Sequence, residues 1–294
     1  MKNGFSVFLA AFLALGLSWC GFVLAAAKQL GTAKQAAVLN STDVYPIQRP
    51  GDAELGLQIY RANGCAACHT ERVRQDAVTC EISLNSLGKN KPEEFTTFFA
   101  SLLKLPEFQS CSNSVAGQMQ AWNSAVTQMI VTNLDSETAK NLLQHINTNG
   151  CKAGIQIKTV GVDIARGWGV RQSVAGDYLY DAPVQLGSLR AGPDLANIGV
   201  RSPDLNWQLV HLYLPKAFVK NSAMPPFRYL FELRKKVNGV ASSDALQFPP
   251  VFAPPAGFEV VPTPEAKQLA AYLLSLKATV PLYNAPFTPA MSKP

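Results

Sequence analysis

Charge is missing from the start of this 294-residue chain: after Lys2 no charged side chain occurs from Phe5 to Ala27. That stretch is long enough to cross a hydrocarbon core as one helix, for which roughly 20 residues suffice. It exceeds the roughly 7–15 apolar residues of a signal-peptide core, which favours a retained anchor. Ala25-Ala26-Ala27 would serve as a cleavage site, so a cleaved signal is the competing reading. Histidine is scarce, with 3 residues beside 6 cysteines. No second Cys/His pair stands at zinc-ligand spacing, and no βαβ pattern surrounds the single Cys-x-x-Cys. A zinc site and a thioredoxin-like redox pair are thereby set aside.

Against these absences stands one run, Cys65-Ala66-Ala67-Cys68-His69. Two thiols two residues apart can add to the two vinyl groups on one edge of a haem, and the next residue then supplies the proximal imidazole. One covalently bound haem c is expected, with His69 as an iron ligand. A second such motif is absent, which removes a dihaem peroxidase. Covalent attachment takes place outside the bacterial cytoplasmic membrane. The expected topology is therefore a short inner N-terminus, one span, and everything after about residue 28 on the periplasmic side.

The net charge of +6 is uneven, because residues 71–160 hold eight Lys/Arg and eight Asp/Glu. The excess lies elsewhere and fits a docking surface or plain solubility. Residues 52–63 read as a helix whose Leu55, Ile59 and Ala62 share a face, stopped by Gly64. Thr263-Pro264-Glu265 opens a second helix, with Leu269, Tyr272, Leu273 and Leu276 at helical spacing. Gly56 and Tyr60 would let the two helices cross closely.

A sixth iron ligand must come from downstream. Met224 stands in the stiff loop Ser222-Ala223-Met224-Pro225-Pro226, where it has no helix core to fill. Met119 and Met129 share an apolar helical stripe with Trp122, Val126 and Ile130, so packing accounts for them. Met224 is the expected ligand, with His211 and an open iron as alternatives. A thioether raises the potential relative to a second imidazole. The loop Ala191-Gly192-Pro193-Asp194-Leu195 can run beside the proximal histidine, its Pro193 carbonyl accepting from His69 Nδ1–H. Arg171, Arg190, Arg201 and Trp207 are possible partners of the haem propionates.

Residues 75–164 read as a small inserted α/β domain. Thr79–Leu84 and Gly154–Lys158 alternate like strands that pair, and three helical patterns lie between them. Cys80, Cys111 and Cys151 sit in an oxidising compartment, so one disulfide and one leftover thiol are expected, with the pairing open. Metal binding by these cysteines with His145 is a lesser alternative. The segment carries no nucleophile–base–acid set and no phosphate loop.

Four segments resemble the membrane-anchored monohaem subunit (subunit II) of cbb3-type cytochrome c oxidases. They are Leu17-Ser18-Trp19-Cys20-Gly21-Phe22-Val23-Leu24; Tyr45-Pro46 through the haem motif; Val170-Arg171-Gln172-Ser173 through Gly192-Pro193-Asp194-Leu195; and Trp207 with His211-Leu212 ahead of Met224-Pro225-Pro226. The likeness covers roughly residues 5–74 and 165–280. It implies a mainly α chain with a class I cytochrome c-like haem domain, an N-terminal transmembrane helix and the inserted α/β domain. The expected division is an anchor at 1–27, a linker at 28–51, a haem domain at 52–74 and 165–280 around the insertion, and a tail at 281–294. The resemblance further implies His69 and Met224 as axial ligands and Cys65 and Cys68 as thioether sites. The implied role is an electron relay from a donor c-type cytochrome to a haem–copper catalytic subunit, with no catalysis of its own. The haem subunit of a nitric-oxide reductase and a free-standing periplasmic carrier are the rival functions.

Overall fold

The structure is a computed structural model that describes residues 4–32, 34–38, 41–111, 129–134, 136–282 and 285. The chain divides into two compact units, residues 1–48 with 174–184, and residues 49–173 with 185–294.

In the first unit, α1 (Gly4–Trp19), a π-helical turn (Cys20–Leu24) and α2 (Ala25–Gly31) follow one another directly. The 25 residues Gly4–Lys28 are long and apolar enough to cross a membrane. A helix suits that role because every backbone polar group within it bonds internally. The strands β1 (Ala36–Ala37) and β2 (Val44–Tyr45) then pair antiparallel.

The second unit holds two hydrophobic cores. The first is built where α3 (Gly51–Ala62) meets α9 (Pro264–Ser275). Thr263 caps α9, its Oγ1 accepting from Ala266 N at 3.4 Å, and Pro264 occupies the first turn where no amide partner is needed. The buried face of α3 is Ala53, Gly56, Leu57 and Tyr60, not the expected Leu55–Ile59–Ala62 stripe. Leu55 is exposed and Ile59 only half-buried. The crossing point decides this rotation. A Cβ on Gly56 would run into the Gln268 carbonyl and the Tyr272 Cβ, so α9 can lie close only over that glycine. Tyr60 and Tyr272 then meet at 5.1 Å between ring centroids. The short α7 (Ile198–Arg201) and α8 (Leu205–Tyr213) complete this core with a hairpin. That hairpin pairs β6 (Phe231–Lys235) with β7 (Phe258–Pro262), Phe231 opposite Pro262.

The second core lies under an antiparallel sheet of order β4-β3-β5, with β3 Ala77–Ser86, β4 Met129–Leu134 and β5 Lys152–Val160. As expected, the end strands pair, in a register that runs from Ala77 opposite Val160 to Ser86 opposite Lys152. Cys80, Ile82 and Leu84 alternate inward onto α4 (Pro92–Leu102) and α5 (Ser136–Thr148), meeting Phe95, Phe99, Leu142 and Ile146. Met129 and Ile130, expected on a helix, belong to β4 instead. Ile130-Val131-Thr132 is a β-branched run, stiff at χ1 and better accommodated on a pleated surface. Met119, Trp122 and Val126 lie outside the described residues. Of the three cysteines expected to share one disulfide, Cys80 and Cys151 are buried here, Cys151 as a free thiol. The Cys111 side chain lies outside what is described. His145 faces Glu107 at 3.6 Å and Phe108 edge-on. No cluster of three or more metal-ligating side chains occurs among the described residues.

Two tests of stability follow from these contacts. Gly56→Ala should lower the unfolding free energy of the full chain in detergent by about 1–3 kcal/mol through overpacking, read as a drop in denaturant midpoint. The second concerns Glu259, buried on the hairpin, where it accepts from Ser242 N at 2.7 Å and Arg234 Nε at 2.8 Å. Those donors, the Ser242 amide first, hold its carboxyl below the ordinary 4.5. Its contribution is complete above that value and is lost as pH falls through the lower folded one. Glu259→Gln should therefore cost most near neutrality, and the gap in thermal midpoint from the parent should close in acid.

Candidate haem site

The approach to the motif is set by backbone geometry. Helix α3 ends at Asn63, and Gly64 enters the left-handed region at φ 68°. Cys65–Ala67 then forms one tight 3-10 turn, with the Cys65 carbonyl accepting from both Cys68 N at 3.1 Å and His69 N at 3.0 Å. This turn keeps both thiols and the imidazole in one short loop. Cys65 is half-buried against the first core, whereas Cys68 is exposed. Burial pushes the Cys65 thiol up to about 12, with the Glu71 and Cys68 charges adding to it. A redox or metal-binding pair needs the opposite shift, towards thiolate.

His69 is fixed from behind. Its Nδ1 lies 2.8 Å from the Pro193 carbonyl. A carbonyl only accepts, so Nδ1 carries the proton and Nε2 is left as a lone-pair donor. Burial lowers the imidazole's proton affinity, against the pull of the Pro193 bond, and favours the neutral ring that a metal ligand requires. The loop 186–195 runs alongside residues 66–71. Ser188 N donates to Ala66 O, Glu71 N to Leu186 O, Gly192 N to Cys68 O and Leu195 N to Thr70 O. Gly192 lies against the His69 ring so closely that a Cβ there would overlap it. Asp194, fully buried, accepts from Thr70 Oγ1 at 2.5 Å, Arg72 N at 2.9 Å and Ala196 N at 2.9 Å.

Met224 is half-buried and packs on the same core that takes Cys65 and Ala66. Its amide donates to Ser222 Oγ at 3.2 Å, and Phe227 N ties the loop to Leu212 O at 2.9 Å. His211, on α8, stacks flat on Trp207 at 4.8 Å between centroids, and Trp207 stacks on Phe218 at 5.4 Å. Burial first, and the nearby His69 second, push His211 down to about 4, so its ring is neutral. Its Nδ1 is buried with no hydrogen-bond partner among the described residues. Arg201 shows the same pattern: a nitrogen bonds the Asp194 carbonyl, while the buried Nε has no partner there.

The four side chains proposed from sequence for propionates thus separate. Arg171 is spent on the carbonyls of Val280 at 2.7 Å and Gln172 at 2.9 Å. Arg190 is spent on Asp163, Thr70 and Arg72. Trp207 is committed to ring stacking, and only Arg201 keeps an unspent buried donor. The unpartnered nitrogens of Arg201 and His211, both close enough to His69 to shift its charge balance or be shifted by it, fit a bound group with anionic edges. Sequence reasoning missed the Asp163–Arg190 pair and the buried Glu71, which accepts from Tyr272 Oη at 2.8 Å. Neither carries a local signal, because each meets its partner only through the fold.

Cys65 and Met224 pack on one core, and Cys68 and the neutral His69 imidazole follow Cys65 in the same short loop, a donor set suited to a single-haem cytochrome. Residues 127–248 match the family described as Cytochrome C oxidase, mono-heme subunit/FixO, and over that stretch the chain is similar to it. The match includes Pro193, His211 and Met224, ends before β7, and begins inside the segment 75–164. No curated protein matches the chain.

Gly192→Ala should displace the His69 ring. The expected outcome is a large loss of haem-loaded protein, seen in the ratio of Soret to protein absorbance, with the amount of full-length chain unchanged.

Proposed function

We propose that this chain is a membrane-anchored monohaem cytochrome c that relays electrons from a donor cytochrome to the haem–copper subunit of a terminal oxidase. The observation that carries this is the family match over residues 127–248, which spans the loop placed against His69 and the Met224 loop. The helix Gly4–Lys28 supplies the anchor, in the bacterial cytoplasmic membrane, with the haem domain on the periplasmic side. The surrounding core is of the class I cytochrome c kind, closed by the α3–α9 crossing.

A haem held here supplies one-electron exchange between ferrous and ferric iron. Cys65 and Cys68 would tether it covalently through their sulfurs, as thioethers to its two vinyl groups. His69 Nε2 and Met224 Sδ would ligate its iron, and the Pro193 carbonyl would keep the imidazole electron-rich. Arg201 Nε and His211 Nδ1 are the groups left to meet the propionates. The chain itself binds, orients and shields; it moves no substrate atoms.

The test is purification from solubilised membranes with haem staining. Co-purification with a haem–copper subunit and oxygen uptake is the expected result, and a soluble haem protein running alone would overturn it. Met224→Ala should abolish the weak far-red absorption of a ferric haem with a thioether ligand, and its persistence would assign the ligand to another residue.

A further inference from the structure

A charged clamp joins the root of the β4-β3-β5 sheet to the loop behind His69. Ala77 and Val160 pair at the root, Asp76 N donates to Val160 O at 2.9 Å, and Asp76 Oδ2 accepts from Val162 N at 3.2 Å. Asp163 follows at once, on the short α6 (Val162–Ala165), and is buried. Arg190 forks onto it, Nη1 to Oδ1 and Nη2 to Oδ2, both at 2.8 Å. The same guanidinium gives Nε to Thr70 Oγ1 at 2.9 Å and Nη2 to Arg72 O at 2.6 Å, and it lies 5.1 Å over the Trp168 ring. The remaining Asp163 capacity accepts from Arg74 N at 2.7 Å. Asp194 takes the Arg72 amide on the other side, so two carboxylates hold alternate amides of the chain leaving the motif, and Arg190 bridges them.

We propose that Arg190, held by Asp163 and Thr70, is a positioning residue that sets the His69–Pro193 hydrogen bond and thereby the haem potential. This rests on the haem reading above. Arg190 stands three residues before Pro193, and the intervening Gly192 has no side chain with which to anchor the loop. Pro193 itself is exposed. The Gly192 N–Cys68 O and Leu195 N–Thr70 O bonds flank the carbonyl, and the clamp adds a side-chain hold on the same loop that orients it against Nδ1. A looser bond leaves the imidazole a weaker donor, which stabilises ferric iron less and raises the potential.

The test keeps charge constant, because removing Asp163 would raise the potential by electrostatics alone. Arg190→Lys preserves the cation and loses the fork, and Thr70→Val removes the hydroxyl that joins Arg190 Nε to Asp194, with no change of formal charge. The full chain is purified in detergent with its haem, and the midpoint potential is measured by redox titration. Both variants should favour ferrous iron by about tenfold, a rise of about 59 mV for one electron, with the thioether absorption intact. If Arg190→Lys does not accumulate with haem, Thr70→Val alone decides. Potentials equal to the parent's in the variants that carry haem, with only stability lowered, would overturn the proposal. A parent chain without haem would overturn the underlying reading instead, which separates the two failures.

Discussion

One hydrogen bond across 124 residues organises the candidate site: His69 Nδ1 to the Pro193 carbonyl. It fixes which imidazole nitrogen is free, and it requires the loop 186–195 to lie flat along the chain that carries the motif. Much of the surrounding structure exists to satisfy that closeness. Gly192 leaves room for the ring, four backbone hydrogen bonds stitch the two segments, and a fully buried carboxylate on Asp194 is matched by donors from both. A buried charge of this kind is tolerated only when its hydrogen-bonding capacity is filled.

The chain leaving the motif is pinned residue by residue. The Thr70 hydroxyl goes to Asp194, the Glu71 carboxylate to Tyr272, the Val73 amide to Ser173 Oγ at 3.0 Å and the Arg74 amide to Asp163. The Glu71 link joins the motif to α9, and the Asp163 link joins it to the foot of the sheet. The α3–α9 crossing, the proximal loop and the sheet are thus not independent decorations. Each ends on the five residues that follow His69, and displacement of any one reaches the imidazole within a few bonds.

The sequence made some of this legible and hid the rest for physical reasons. The haem motif, the Thr263 cap and the antiparallel pairing of the segment's end strands are local patterns, readable from side-chain chemistry and periodicity. The Pro193 contact was inferable because a Gly-Pro loop between a motif histidine and a loop methionine has one obvious place to go. The close crossing at Gly56 and Tyr60 was legible, because a missing side chain beside an aromatic marks a contact point; the Leu55–Ile59–Ala62 stripe satisfies helical spacing equally well but is not the face that crossing buries. Met129 and Ile130 fit a helical stripe equally well, and only the β-branched run and its β3 partner make them a strand. Arg190 resembled a propionate ligand because Asp163, 27 residues earlier, gives no sign in sequence that it will be its neighbour.

The central claim is that Cys65 and Cys68 hold one haem covalently beside His69, and the direct measurement is the mass of the peptide that contains them. The account predicts a peptide heavier by one haem, with both cysteines resistant to alkylation and the added mass surviving acid extraction. Two free thiols that alkylate on an unmodified peptide from membrane-assembled protein would contradict it.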